Sequence, residues 1–411
     1  MCRKRCTPSR VDAAALSDAS RHRHDCRVLR RVCLFNGTLV PAGSGRAAAS
    51  AAAVAASLQV RNIFGSHQSF PLSTLHPLLP PPPASPSAAL LAREIRAAGF
   101  SACLPLVWLP VWAFSFADTF VSSVVPLFEL RSAGLIDAHV LLRPDLSAWP
   151  RARNPAYQMA QALSSAPLVS LREAAPKCFA SRRRRCVARC YERLLVCQFR
   201  STFDAYAPPM RPWAAAQAVA AASRGRRGER KAAGWKVLFV NRTNTKFSRS
   251  LVNLDSLLRH CARWLAGGSC AAHEFGRHGL RADVEQAEAA DVLVGTHGAG
   301  LTNAFFMRQG SAVVEVRPYG FEGAWPDHYF KELSALEHAV FYFQVTSGDP
   351  ELSVPAPRKD VSVWDARDHG VRLPWRTLRE VLASVVAVNH SRSQYLDLLR
   401  VRGHATFVSK V

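Results

Sequence analysis

Four short apolar runs in the second half of the chain limit its fold more than any other feature. They are rich in β-branched and aromatic residues and cover Trp235–Val240, Asp291–Gly295, Ala312–Val316 and Val340–Val345. The stretches between them place apolar residues at helical spacing, as in Leu251, Leu254, Leu257, Leu258, Cys261 and Leu265. Strands that alternate with helices predict an α/β fold, in which helices cover both faces of a parallel sheet.

Composition divides the chain into five predicted segments. These are an Arg/Cys-rich and Ala/Pro-rich low-complexity segment at 1–90, a first Rossmann-like domain at 91–221, a linker at 222–234, a second Rossmann-like domain at 235–345, and a helical extension at 346–411. The linker is assigned because Ala222–Lys231 is polar, charged and contains glycine. In the extension, a helical face of Leu378, Val381, Leu382 and Val385 follows Pro374.

The formal net charge of +23 raises the alternative of a basic nucleic-acid-binding α/β protein. Only eight of the 53 basic residues are Lys, and Arg occurs beside abundant Ala. Such a bias also arises from a GC-rich genome, and the sequence contains no recognised nucleic-acid-binding module. We therefore expect no nucleic-acid partner.

The cysteines favour an oxidising compartment. Eleven is an odd number, so at least one thiol is free or intermolecular. Cys178, Cys186, Cys190 and Cys197 lie close together without the CxxC pairs typical of zinc sites, so disulfides are predicted. Three Asn-X-Ser/Thr sequons, at Asn36, Asn241 and Asn389, are compatible with this.

Neither a signal peptide nor a membrane anchor is visible in the sequence. The basic start, Met1–Arg5, is not followed by an apolar run, and the most apolar stretch, Ser101–Ala117, is interrupted by Pro105 and Pro110. That stretch is predicted to form buried strand and loop.

The segment that carries chemistry is the turn after the second apolar run. Thr296–Gly300 (THGAG) connects that strand directly to a predicted helix. Glycines allow a sharp turn and close approach of a ligand, and the N–H groups at a helix N-terminus suit phosphate. The ring of His297 can donate to a phosphate or to a leaving oxygen, and Thr302 and Asn303 can cap the helix or bind. A purely structural turn is the alternative.

The string HGAGLTN after an apolar strand resembles the signature of glycosyltransferase family 61, which includes plant xylosyl- and arabinosyltransferases and animal O-linked N-acetylglucosaminyltransferases of the secretory pathway. Further similar segments are Val237–Asn253, Gly310–Tyr319, Pro176–Phe179 and Cys26–Leu39. The resemblance is continuous over about Trp235–Val345.

The resemblance implies a GT-B architecture, in which two Rossmann-like domains face a cleft and the C-terminal one binds the donor. It implies a glycosyltransferase, inverting, that moves a sugar from a UDP-sugar to a hydroxyl of a glycan or protein acceptor. The donor-binding residues would be Arg242, Arg249, Asn253, Gly298, Gly300, Leu301, Thr302, Asn303 and Glu315. Glu315, at the C-terminal end of a strand, would hold ribose hydroxyls, with a purely structural buried or surface Glu as the alternative, and the alternative for Arg249 is a solvated side chain. His297 would be catalytic, and the secretory pathway (Golgi or endoplasmic reticulum) would be the location.

Two features qualify these expectations. The family often has an Asn-x-x-His-Phe-like element, and here Ser115–Phe120 carries Asp118 where the His would lie. Asp118 is therefore a candidate general base, with helix capping as its alternative, and a catalytically silent relative is a second possible function. The sequence contains no Asp-x-Asp motif, so neither a metal nor another cofactor is expected.

Overall fold

The computed structural model describes most of the second half of the chain and selected parts of the first. The described residues are 24–35, 38–41, 93, 96–101, 105–109, 115–133, 141–143, 154–164, 167–170, 188–199, 211–223, 234–242, 249–327, 329–357, 362–403 and 405–410. They form two compact units. The first ends at Ala207, and the second begins at Pro208 and also includes Ser115–Ala117.

The first unit is built on a mixed sheet. Its strands are β1 (His24–Phe35), β2 (Thr38–Pro41), β3 (Phe100–Ser101), β4 (Leu106–Leu109), β5 (Leu141–Arg143), β6 (Val169–Ser170) and β7 (Arg189–Phe199), in the order β2-β1-β7-β4-β5-β6 with β3 also beside β7. β1 is antiparallel to β2 and β7, whereas β3 to β6 pair in parallel. The helical segments are Phe116–Thr119, Phe120–Val124 (a π-helix), Val125–Ser132 and Pro155–Leu163.

A disulfide joins the two long strands of this sheet. Cys33 of β1 lies opposite Cys190 of β7 in the antiparallel register, and their sulfur atoms are bonded. This confirms that Cys190 belongs to a disulfide. Cys178 and Cys186 lie outside the described residues, and for Cys197 the structure describes the backbone alone.

The second unit contains a six-stranded parallel sheet. Its strands are β8 (Lys236–Val240), β9 (Ser269–His273), β10 (Val292–Thr296), β11 (Ala312–Arg317), β12 (Phe341–Ser347) and β15 (Thr406–Ser409), in the order β15-β12-β11-β10-β8-β9. All five pairings are parallel. A small antiparallel pair, β13 (Ser353–Val354) and β14 (Gly370–Val371), lies apart from this sheet. These strands confirm the predicted α/β fold with a parallel sheet.

Helices cover both faces of the parallel sheet. The main core lies on the face where Leu254–Trp264 and Trp375–Val388 pack against alternate residues of the strands, such as Val294, Val314 and Phe343. The remaining helical segments of this unit are Pro212–Ser223, Leu280–Ala289, Ala299–Phe306 (a 3-10 helix), Ala324–Asp327, Phe330–Glu337, Pro350–Leu352 (a 3-10 helix), Val363–Arg367 and Arg392–Arg402. Of these, Pro212–Ser223 and Leu280–Ala289 pack on Ala299–Phe306.

The boundaries of the units differ from those that composition predicted. The Ala-rich helix Pro212–Ser223, predicted in the first domain, groups with the second unit, because Trp213 Nε1 and Gln217 Nε2 donate to the carbonyl of Met307. The segment predicted as an extension supplies both β15 and the core helix Trp375–Val388. The second unit therefore runs to the end of the described chain.

The disulfide Cys261–Cys270 fastens the helix Leu254–Trp264 to the edge strand β9, and Cys261 is fully buried. Closing a loop between cysteines nine residues apart restricts the unfolded chain by about 2–3 kcal/mol. We expect Cys270→Ala to lower the free energy of unfolding by that amount in urea denaturation. Ser269→Ala, at the exposed neighbouring position, is the control and should change it little. A Cys270→Ala protein as stable as the wild type would show that the bond contributes nothing.

Candidate functional site

The order of the strands creates a crevice between β8 and β10. These neighbours are parallel, and the chain leaves β8 toward β9 on one side but β10 toward β11 on the other. Ligands of open α/β sheets bind where the strand order reverses, beyond the carboxyl ends of the strands. The segments that follow the two strands here carry Arg242 and the turn His297–Gly300. The predicted turn therefore lies at the position that this topology favours for a ligand.

Glycines bring the backbone of this turn close to its neighbours. Gly298 has a φ of +147°, and a Cβ at this position would overlap Nη1 of Arg242. That same Nη1 donates to the carbonyl oxygen of His297 at 3.3 Å. At Gly300, a Cβ would lie 2.7 Å from Cγ1 of Val240. The close approach of Arg242 to the turn thus depends on Gly298.

Three arginines, Arg242, Arg249 and Arg367, lie beside the turn. Nε of Arg249 lies 2.9 Å from Oδ1 of Asp368, and Arg367 forms two hydrogen bonds with the same carboxylate, at 2.8 and 3.1 Å. The hydroxyl of Thr296 donates to the backbone carbonyl of Arg249 at 2.8 Å, which fixes this arginine to the end of β10.

Burial shapes the charge of these arginines. Burial lowers the pKa of Arg242. The charge of Asp368 opposes this decrease, and the charge of Arg367 adds to it. Burial also lowers the pKa of Arg249 to about 10, reinforced by the nearby charge of Arg367. Both guanidinium groups remain protonated at neutral pH. An anion that replaced water beside them would relieve their mutual repulsion, so this crevice favours a compact anionic group.

The ring of His297 is hydrogen-bonded to the buried carboxylate of Glu315. Nδ1 lies 2.5 Å from Oε1 of Glu315 in β11. The other oxygen of Glu315 accepts hydrogen bonds from Nε and Nη2 of Arg317, at 3.0 and 2.8 Å, and from the hydroxyl of Tyr342. Nη1 of Arg317 donates a hydrogen bond to Oδ1 of Asp327 at 2.6 Å. Phe321, Tyr329 and Phe330 surround the imidazole edge-on.

These contacts favour one protonation state of His297 and Glu315, a neutral ring beside an ionised carboxylate. Burial alone would raise the pKa of Glu315, but Arg317, His297 and Tyr342 outweigh burial and bring it to about 2. Burial lowers the pKa of His297, and Glu315 only partly offsets this. The ring is therefore neutral at pH 7. Because ionised Glu315 can only accept hydrogen bonds, Nδ1 carries the ring proton and Nε2 carries the lone pair.

The structure places the other predicted residues as follows. Leu301, Thr302 and Asn303 lie in the 3-10 helix and are buried, with Nδ2 of Asn303 donating to the carbonyl of Gly300. The hydroxyl of Thr302 and Oδ1 of Asn303 are buried, and neither has a hydrogen-bond partner within the part of the chain that the structure describes. The amide of Leu301 donates to the carbonyl of Gly298.

Three predicted residues lie apart from the open crevice. Both ends of the Asn253 amide bond the backbone of Leu373. Glu315 is fully buried, with both oxygens engaged by His297, Arg317 and Tyr342. Asp118 lies half-buried in the first turn of the helix Phe116–Thr119 and groups with the first unit, so its role stays a prediction.

Sequence reasoning missed Arg317, Tyr342, Arg367 and Asp368. Glu315 and Arg317 are two residues apart on a predicted strand, so they share one face. That spacing was a signal for a buried ion pair. Arg367 and Asp368 lie more than 100 residues beyond Arg249, and local sequence carries no signal for that contact.

The described residues contain neither a metal-binding cluster nor a membrane-spanning helix. No group of three or more His, Cys, Asp or Glu residues is arranged there to hold a metal ion. Within the same part of the chain, no helix has both the length and the apolar character needed to span a bilayer.

The neutral, buried state of His297 predicts a pH dependence of stability. The unfolded chain takes up a proton on this ring below its ordinary pKa of 6.5, whereas the folded protein resists it. The contribution is therefore complete above pH 6.5 and is lost as the pH falls. We expect His297→Gln to reduce the loss of unfolding free energy between about pH 7.5 and pH 5.5, measured by urea denaturation. His278→Gln, at an exposed ring, should keep the wild-type dependence, and equal behaviour of the two variants would contradict this account.

Comparison with known proteins places the chain in a family. The family model for glycosyltransferase 61 matches residues 103–314, which is just over half of the 411 residues. The relative beta-1,2-xylosyltransferase XYXT1 from Oryza sativa subsp. japonica is 30% identical over 124 residues, equal to 30% of this chain and 25% of the relative. This chain thus matches about a quarter of that relative's length. The region matched by the family model contains the crevice residues Arg242, Arg249 and His297–Gly300, and the protein belongs to glycosyltransferase family 61.

Proposed function

We propose that this protein is an inverting glycosyltransferase that takes a sugar from a UDP-sugar. The observation that carries the proposal is the contact of Arg242 with the backbone of the glycine turn, at the switch point between β8 and β10. Arg242 and Arg249 supply positive charge for a diphosphate, and the turn and 3-10 helix supply backbone close to it.

His297 is the proposed general base. With Nδ1–H donating to Glu315, Nε2 is the ring atom that takes up a proton. Glu315 then stabilises the imidazolium that forms, as the carboxylate of a catalytic triad does. This role replaces the predicted contact of Glu315 with ribose hydroxyls, because its carboxylate is fully buried.

The proposed reaction is one displacement. The acceptor hydroxyl oxygen forms a bond to the anomeric carbon, the bond from that carbon to the diphosphate oxygen breaks, and the hydroxyl proton passes to Nε2 of His297. The diphosphate leaves with the bonding pair and is stabilised by Arg242 and Arg249. Because the relative is named a beta-1,2-xylosyltransferase, UDP-xylose is the first donor to test and a glycan the first acceptor. A β-linkage formed from the α-linked donor requires inversion.

Family membership supports the broader parts of the proposal, which are a GT-B arrangement of the two units, a place for Asp118 on the acceptor side and a location in the secretory pathway. The lack of an Asp-x-Asp motif in the sequence supports catalysis without a required metal or other cofactor. A catalytically silent relative would bind the donor without turnover. A nucleic-acid-binding protein would lose its affinity steeply as ionic strength rises.

The diphosphate site can be tested at Gly298. A methyl group in Gly298→Ala displaces Arg242, so the charge-assisted hydrogen bonds to the diphosphate are lost. Such bonds contribute about 1.5–3 kcal/mol, and we expect the Kd for UDP to rise at least ~10-fold in calorimetry. Gly403→Ala is the matched control, because Gly403 also has a positive φ of +72° but no atom of the described residues lies within 4 Å of its Cβ position. Equal UDP affinity in both variants would remove the support for this site.

The base role can be tested at His297. We expect His297→Gln to lower kcat for UDP-xylose turnover by ~10²- to 10⁴-fold, while the Kd for UDP changes less than about threefold. UDP release from UDP-xylose, UDP-arabinose and UDP-GlcNAc is measured with and without a xylo-oligosaccharide acceptor. His278→Gln serves as the control. Binding of UDP without turnover of any donor by the wild type would favour the silent relative, and a fully active His297→Gln protein would refute the base.

A further inference from the structure

One face of the second unit's sheet is polar where a buried sheet is normally apolar. On β12, Phe341, Phe343 and Val345 point into the main core, whereas the alternate residues Tyr342, Gln344 and Thr346 share the other face. Strands buried on both faces usually read as continuous apolar runs. Gln344 and Thr346 are only 6% and 5% exposed, so this face buries hydrogen-bonding groups that require polar partners.

The polar face continues from the His297 site toward the edge of the sheet. Glu315 of β11 lies opposite Gln344 of β12 in the parallel register, and Gln344 lies opposite Thr406 of β15. Nε2 of Gln344 donates to the hydroxyl of Thr346 at 2.8 Å. Helix Trp375–Val388, which packs on β15, lies on the core face of the sheet. At Gln344 the row of polar side chains borders a cavity.

The cavity has a volume of about 270 Å³ and lies beside the carboxyl-terminal half of β12 and along β15. Gln344, Thr346 and Thr406 line its floor, and Glu322 stands at its exposed rim. Strands are spaced about 4.8 Å apart, so the cavity lies roughly 12 Å across the sheet from β10 and its glycine turn. It is thus separate from the crevice that holds Arg242.

The charges around the cavity largely cancel. Arg317 and Lys331 each lie 2.6 Å from an oxygen of Asp327, so the basic groups of the wall are already paired. A nucleotide or another strong anion gains little from such a wall, whereas the hydroxyl groups of Thr346 and Thr406 and the carboxylate of Glu322 suit a neutral ligand with several hydroxyl groups. The volume is below the ~300–1,000 Å³ of pockets for drug-sized ligands, which favours a single ring over a whole nucleotide sugar.

We propose that this cavity binds one neutral sugar ring, with Thr346, Thr406 and Glu322 contacting its hydroxyl groups. The assignment of that ring to a substrate rests on the proposed glycosyltransferase function. The ring belongs to the acceptor glycan, because the donor sugar is bonded directly to the diphosphate and cannot reach a cavity roughly 12 Å across the sheet from the glycine turn. A site built to hydrogen-bond hydroxyl groups discriminates strongly between sugars, so this cavity determines sugar specificity.

The experiment is an NMR titration of the purified chain with methyl β-D-xylopyranoside, read by saturation transfer and by chemical shifts. Thr346→Val keeps the shape of the side chain and removes its hydroxyl, so we expect at least tenfold weaker binding. Glu322→Gln, at an exposed position, should weaken binding several-fold without any risk to folding. The matched controls are Thr377→Val, a buried threonine on a core-face helix, and Glu285→Gln on an exposed helical surface. Both controls should bind as the wild type does.

Competition identifies the source of the ring. Displacement of the xyloside by UDP-xylose but not by UDP would place the donor sugar in the cavity and would overturn the assignment to the acceptor. If calorimetry shows that UDP-xylose binds and the xyloside still stays bound, the cavity belongs to the acceptor. A protein that binds neither UDP nor UDP-xylose, but binds the xyloside through Thr346 and Glu322, would contradict the proposed function and support the cavity. Absence of saturable xyloside binding, or equal binding in wild type, Thr346→Val and Glu322→Gln, overturns the proposal.

Discussion

A buried carboxylate in the middle of a parallel strand sets the arrangement of the site. Burying an ion costs several kcal/mol unless its oxygens are fully hydrogen-bonded, so Glu315 requires partners on every side. It finds them in His297, Arg317 and Tyr342, which come from three adjacent strands or their ends. Each partner is itself buried and is fixed by the same requirement. The orientation of the His297 ring is therefore determined by the interior of the sheet rather than by the turn that carries it.

The same histidine is held from the opposite side by the crevice. Its ring binds Glu315, while its backbone carbonyl accepts from Arg242, which follows the neighbouring strand β8. The sheet order makes this possible, because β8 and β10 are adjacent although β9 lies between them in sequence. Gly298 leaves the space that Arg242 occupies. The buried ion network around Glu315 and the partly buried Arg242 thus both contact His297. This residue therefore links proton transfer and anion binding in the proposed reaction.

The sequence predicted those parts whose signal is local. The strands β8, β10, β11 and β12 are compact apolar runs, and the turn after β10 carries its own glycines. The edge strands β9 and β15 were missed, because Ser269–His273 is Ala- and Ser-rich and half-exposed, and β15 has four residues. The unit boundary was also misplaced, because the charged composition of the run after Ala222 carries no information about where the preceding helix packs. Contacts such as Arg249 with Asp368 depend on the folded chain and leave no local pattern.

The net charge of +23 and the charge of the site have different physical meanings. Nucleic acids gain affinity from many exposed cations whose counterions are released. The crevice instead concentrates a few arginines that are partly buried, and burial lowers the pKa of Arg242 and Arg249. Removing these groups from water raises the gain from an anion small enough to reach them. A diphosphate satisfies that condition, whereas the regularly spaced phosphates of a duplex contact an outer surface. The positive charge that matters for function is therefore set by burial at the switch point and not by the total count.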